Sequence, residues 1–267
     1  MSVLDPLSHA LAAVVAAAHD GLTALGADAG SGTTWVLSIA AVVVAVRTLV
    51  LPLAVHGVRL AHANARARPQ LRELSKKYQG RKDPDAARAF MEERRAIAAE
   101  HGVSRWGCLP MLVQVPVWIA LYHLLRDVSA GRAVGLMGAD QVASLREATI
   151  GGVPLASSGY LGAGAEHVAV VVGLAATAAL LSFATQHWLV RQNMVLVDVP
   201  EAMLSAQRMM PVLSAGGMLL AGGVVPVALL VYWVCSQVWT AAQSAVVWRF
   251  FPTPGSPAAQ RFAPTPA

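Results

Sequence analysis

Arg47 is the residue with the most chemistry to offer. It stands inside the apolar run 35–55, whose other polar members are small hydroxyls. About ten residues separate it from the next charged segment, which puts it about 15 Å deep at helical rise. Burying an arginine in lipid costs about 2.5 to 3.5 kcal/mol or more, so its guanidinium must face protein or water. There it can receive an anionic or polar group. Polar side chains recur on the other apolar runs: Gln114; Ser182, Thr185 and Gln186; Ser236, Gln237, Thr240 and Gln243. Ser236, Thr240 and Gln243 share one helical face, as do Ser182 and Gln186. Singly, each suits a helix-to-helix hydrogen bond; with Arg47 they describe a wet groove. Apart from Glu166 at the very edge of the third, none of these runs holds an Asp or Glu, so no internal carboxylate is at hand to neutralise Arg47.

Covalent and metal chemistry have little to work with. There is no H-E-x-x-H, no G-x-S-x-G and no phosphate-cradling glycine loop, and Ser182 and His187 point to different faces of a helix. Cys108 and Cys235 lie in apolar runs without a Cys or His at ligand spacing, which suits buried free thiols. No enzyme activity, cofactor or metal is expected.

The elements that must position these residues are membrane spans. Only 13% of the residues are charged against 56% hydrophobic, far from the roughly 25% charged of soluble domains. Runs 33–56, 107–125 and 166–190 each suffice for one crossing of a core of about 30 Å. The 40 residues 209–248 carry no formal charge and would measure about 60 Å as one helix. Gly222, Gly223 and Pro226 in their middle split them into spans 209–223 and 226–248. The fold class is therefore an all-α integral membrane protein of five spans.

Orientation follows from the cations. Twelve of the twenty Lys and Arg lie in residues 57–106, so that loop is cytoplasmic. Loop 126–165 is external, loop 191–208 and the tail 249–267 are cytoplasmic, and the N-terminus is outside. No cleaved signal peptide is evident, since the first cation is Arg47. In residues 1–30, Leu7, Leu11, Val14, Ala18, Leu22 and Leu25 recur at helical spacing, which describes an external amphipathic helix in the interface; the alternative is a sixth, alanine-rich span.

The basic loop reads as a hairpin of two helices. Residues 66–78 form one, Gln79 and Gly80 break it, and Asp83-Pro84-Asp85 starts another to about Glu100. Arg72, Lys76, Lys77, Arg94 and Arg95 make its contact surface. Anionic lipid suits that surface at about 1 kcal/mol per cation. Without interleaved aromatics, sequence-specific nucleic-acid binding is not expected.

These residues resemble the YidC-type membrane protein insertases. The resemblance covers residues 35–251 and rests on Arg47-Thr48-Leu49-Val50-Leu51-Pro52-Leu53, Pro69-Gln70-Leu71, Lys76-Lys77-Tyr78, Gly107-Cys108-Leu109-Pro110 with Gln114 and Pro116, Met210-Pro211, Pro226, and Leu230-Val231-Tyr232-Trp233. It implies a groove open to the cytoplasm and to lipid but closed outside, which takes hydrophobic segments of nascent proteins into the bilayer without nucleotide hydrolysis. It implies Arg47 as the groove arginine, Trp233 as a groove tryptophan and Gln186 as the third-span glutamine, with Thr185 or His187 as alternatives there. The Sec translocation channel and translating ribosomes are implied partners, although the short tail departs from members with long basic tails. The large periplasmic domain of some members has no counterpart here. The competing reading is a small-molecule or anion transporter with Arg47 as its binding cation. It lacks the paired internal repeats common in that class. A structural partner for another membrane complex is the third reading.

Overall fold

The structure, a computed structural model, describes residues 5–81, 83–103, 109–160, 164–195 and 201–262. Gly107 and Cys108 of the quoted motif, and Lys82 and Arg105 among the loop cations, lie outside these. Ten α-helices carry the described chain: α1 (Asp5–Ala24), α2 (Gly32–Leu49), α3 (Leu51–Lys77), α4 (Pro84–Glu100), α5 (Leu109–Ser129), α6 (Ala139–Glu147), α7 (Gly164–Ala184), α8 (Glu201–Gly222), α9 (Val227–Phe250) and α10 (Pro257–Phe262). A two-strand hairpin, β1 (Thr149–Ile150) and β2 (Val153–Pro154), pairs antiparallel. Gly32–Leu49 and Gly164–Asn193 are long and apolar enough to cross a membrane by themselves.

Helix α2 begins where Ser31 Oγ accepts the Thr34 N–H at 3.1 Å, an N-cap. It stops at Leu49 because Pro52 has no N–H for the Thr48 carbonyl and its ring crowds that carbonyl. Val50 turns with φ −89° and ψ 2°, and α3 restarts at once with Pro52 in its first turn. The first helix of the basic segment thus begins at Leu51 rather than near residue 66, and it runs 27 residues straight through Pro69.

The hairpin forms as expected at its tip, where Gly80 takes φ +83° and Asp83 Oδ1 accepts the Ala86 N–H. Its seam is thinner than leucines would make it, with Ala63, Ala67, Leu74 and Ala86 buried. Polar ties compensate. Lys77 Nζ donates to Glu93 Oε1 at 2.7 Å, Tyr78 Oη donates to the same oxygen at 2.7 Å, and Tyr78 meets Phe90 edge-on. The Lys77 hydrogen bond, then that of Tyr78, holds the Glu93 carboxyl below its ordinary range. The folded hairpin favours ionised Glu93, so this support is whole above the unfolded value of about 4.3 and is lost as pH falls through the lowered folded value. Hydrogen exchange at residues 74–78 and 90–94, corrected for intrinsic rate, should accelerate below about pH 4. Glu93→Gln should accelerate it at neutral pH and abolish that acid dependence. Unchanged exchange would show the tie to be idle.

One end of the bundle is closed by residues expected only as a loop. Helix α6 and the hairpin pack down on it, burying Met137, Val142, Leu145, Val153 and Leu155 in the main core with Trp35, Leu124 and Leu229. Trp35 Nε1 donates to Ser144 Oγ at 3.0 Å, which donates on to the Ala29 carbonyl at 2.7 Å. Gly32 passes so close to β1 that an added Cβ would fall on the Thr149 carbonyl oxygen. The first N–H groups of α9, which lack helical acceptors, are taken by the segment after β2: Val227 donates to Ser157 O and Ala228 to Leu155 O, each at 2.9 Å. The 223–226 turn sits beside Tyr160, whose ring leaves no room for a side chain at Gly223.

Helix α1 packs on α2 and α5. Ser8 near its start bonds the Ala120 carbonyl, while His19 near its finish stacks on Trp35 and bonds the Ala29 carbonyl at 3.0 Å. Its buried face is Leu11, Ala12, Val15, Ala16 and His19, rotated from the leucine stripe read in the sequence, and Leu25 is 87% exposed. At the opposite end, the chain after α9 returns to the helical turn Arg191–Asn193 beyond α7, where the Thr253 N–H donates to Asn193 Oδ1 at 2.7 Å.

Candidate functional site

Beneath the closed end, α2, α3, α5, α8 and α9 surround a cavity of about 740 Å³. Arg47 enters it from the last turn of α2. Its Nη2 donates to Ser236 Oγ at 2.8 Å and to Thr240 Oγ1 at 3.1 Å. The two acceptors are one turn apart on α9, the spacing that puts them on one face. Thr240 Oγ1 in turn donates to the Ser236 carbonyl at 2.8 Å, which turns its lone pairs toward the guanidinium. Arg47 has five N–H groups, and these contacts use only Nη2. Nε and Nη1 are left without a protein partner among the described residues, and no Asp or Glu lines the cavity there.

The other walls are amphipathic. Gln114 stands on α5 with Val115 and Trp118; Ser214 on α8 with Gly217 and Met218; Tyr232, Trp233, Gln237 and Gln243 on α9. Trp233 is 8% exposed and Ser236 likewise, so this wall is packed against the bundle. Helices α5 and α8 flank the cavity without packing extensively on each other. At that side Leu112, Val115 and Trp118 of α5 and Met209, Met210 and Leu213 of α8 are exposed.

The sequence reading brought together Arg47, Gln114, Trp233, Ser236 and Thr240, and the structure places all five at this cavity, Thr240 through its bond to Arg47 rather than as a lining residue. Gln186 does not line it. Its Nε2 donates to Ser182 Oγ at 3.1 Å, and Ser182 and Ser214 share a hydroxyl hydrogen bond at 3.1 Å, so Gln186 reaches the cavity only through Ser214. The chain winds as a π-helix over Thr185–Val190, a form that turns up often at functional sites. Ser214 and Trp118 had not been singled out. Ser214 is one of several small residues on α8, and only its neighbours across the cavity mark it. On the hairpin, Arg72, Lys76, Lys77, Arg94 and Arg95 are all exposed, and Lys77 is engaged with Glu93. Cys235 is a half-buried free thiol.

Comparison with known proteins gives the chain its relatives. A family profile described as 60Kd inner membrane protein matches residues 27–254. The chain is 32% identical over 247 residues to the "Membrane protein insertase YidC" of Streptomyces avermitilis, a match covering 89% of this chain and 56% of that protein. It is 26% identical over 263 residues to the protein of the same name from Bifidobacterium longum, covering 96% and 78%. A shorter match, 33% over 101 residues, joins it to "Membrane protein insertase MisCA" of Bacillus subtilis, at 38% of each. The chain thus spans little more than half the length of the Streptomyces relative.

Proposed function

The chain belongs to the YidC-type membrane protein insertase family and is a protein of the bacterial membrane, and from that premise we propose that its cavity is the groove through which hydrophobic segments of nascent proteins enter the bilayer. Five segments cross: α2 with the first turns of α3, then α5, α7, α8 and α9. The closed end faces outward and the α3–α4 hairpin lies in the cytoplasm, an orientation supported by the twelve cations of residues 57–106. Helix α1 lies in the outer interface, a reading supported by His9 against Gly135 and His19 on Trp35, both at the closed end. The hairpin's exposed cations face anionic lipid, and the Sec channel and ribosomes are its protein-synthesis partners.

One observation carries this reading: a guanidinium held by two neutral hydroxyls, with no carboxylate among the described lining residues. A structural arginine would be neutralised by its bundle. This one is instead positioned and left with donors to spare, which lowers the cost of bringing a polar or acidic stretch into the membrane. Neither nucleotide nor covalent intermediate is needed, since burial of the segment's apolar surface drives its release into lipid. Gaps at α5 and α8 give the apolar segment its way out.

Two measurements test it. The protein should restore growth and membrane insertion in cells depleted of their insertase. Photocrosslinkers at Gln114 and Trp233 should both capture a stalled nascent membrane protein. A well-expressed protein that neither rescues nor crosslinks would remove the proposal.

A further inference from the structure

A second cavity, of about 620 Å³, runs between α3 and α9. Ala54, Val55 and Val58 face Ala242, Val246 and Val247 across it, and the two helices are not packed on each other along this stretch. Its polar lining is confined to Gln243 and Trp239 at one end, where it adjoins the arginine cavity, and Arg59 and His62 at the other. Trp239 Nε1 already donates to Gln243 Oε1 at 3.1 Å. Water does not settle in an apolar gap of this kind, and an empty one forfeits dispersion contacts along both helices.

The crevice has the dimensions and polarity of one lipid leaflet. Trp239 to Phe251 measures about 18 Å at helical rise, against about 15 Å for half a hydrocarbon core. At its far end His62 Nε2 and the Phe251 carbonyl, 3.1 Å apart, tie the helices together. Arg59 is exposed there, on the turn where α3 changes from apolar to basic, and has no anionic partner among the described residues. An occupant must therefore be an apolar chain about one leaflet long that ends in a negative group.

We propose that this crevice binds an anionic phospholipid, with one acyl chain between α3 and α9 and its phosphate on Arg59. The bound chain seals the arginine cavity on the α3 side, so that the cavity opens to lipid only past α5 and α8. The site rests on the membrane placement of α9 given above and not on insertase activity.

The test uses the full chain in bilayers containing phosphatidylglycerol or phosphatidylcholine with a diazirine on one acyl chain, and maps adducts by mass spectrometry. Phosphatidylglycerol should label Val58 and Ala242 about fivefold more than phosphatidylcholine, the preference one cation confers at a membrane surface. Arg59→Gln, a change at an exposed position, should bring phosphatidylglycerol down to the phosphatidylcholine level. Ala242→Phe should empty the crevice and abolish labelling at Val58 by both lipids. Val238, 52% exposed on another face of α9, should be labelled in every case. Equal labelling of the crevice by both lipids, or a preference that survives Arg59→Gln, overturns the proposal. So does a hydrophobic nascent segment that crosslinks to Ala242 and excludes lipid from it. Label at Val238 with none in the crevice defeats the site alone; no label at Val238 defeats the membrane placement of α9 as well.

Discussion

Arg47→Ala should slow insertion of substrates whose translocated ends are acidic by about 30-fold, the equivalent of about 2 kcal/mol for a lost charge-assisted hydrogen bond, and should leave substrates with neutral ends much less affected. The difference arises because the wild-type guanidinium spends only Nη2 on Ser236 and Thr240 and keeps three N–H donors for the incoming group. Arg47→Lys retains the charge but cannot bridge both hydroxyls while offering a planar fork to a carboxylate, so it should recover part of the rate. The measurement is protease protection of paired reporters that differ only in the charge of the translocated end. Equal slowing of both would reduce Arg47 to a structural residue.

The largest stability effect should come from the closed end. Gly32→Ala would set a methyl group on the backbone carbonyl of Thr149, and neither backbone can yield without disturbing the Trp35 to Ser144 hydrogen bond beside it. Overpacking of this kind costs about 3 kcal/mol. The expected result is a lower thermal midpoint in detergent, with an early change in tryptophan emission as Trp35 loses its cover. Gly57→Ala is the control. That glycine is inside α3 with nothing near its added Cβ, so the substitution should be neutral or raise stability by up to about 1 kcal/mol through helix propensity. If the two variants melt alike, the close approach at Gly32 carries no weight.

The site was legible in the sequence to the extent that charge and spacing are local. A lone arginine in an apolar run is conspicuous, and Ser236 and Thr240 one turn apart announce a common face. Both signals survive into the folded chain because a helix keeps its periodicity. Ser214 gave no such signal; its place at the cavity depends on how α8 lies against α7, which is a tertiary fact. Gln186 failed for the same reason in reverse, since its partner Ser182 faces Ser214 and carries it away from the opening. The α2–α3 boundary was misplaced because residues 51–55 stay apolar across the break, so hydropathy read through a proline that the backbone could not. The closing layer of α6 and the strand pair was hardest to foresee. Nine helical residues and two strands of two residues each have no periodicity of their own and become ordered by lying on Trp35, Leu124 and Leu229.

The acceptors for the first N–H groups of α9 bear on how the molecule builds itself. Ser157 and Leu155 precede Val227 and Ala228 by about seventy residues, and chains are made from the N-terminus onward. When α9 leaves the ribosome, the carbonyls that will receive it have already been synthesised. Helix α9 therefore finds its acceptors already made, and only the loop between them remains to be closed. Its arrival also delivers Ser236 and Thr240 to Arg47, so the guanidinium gains its two hydroxyl partners only after the helices that surround the cavity with α9 have been made.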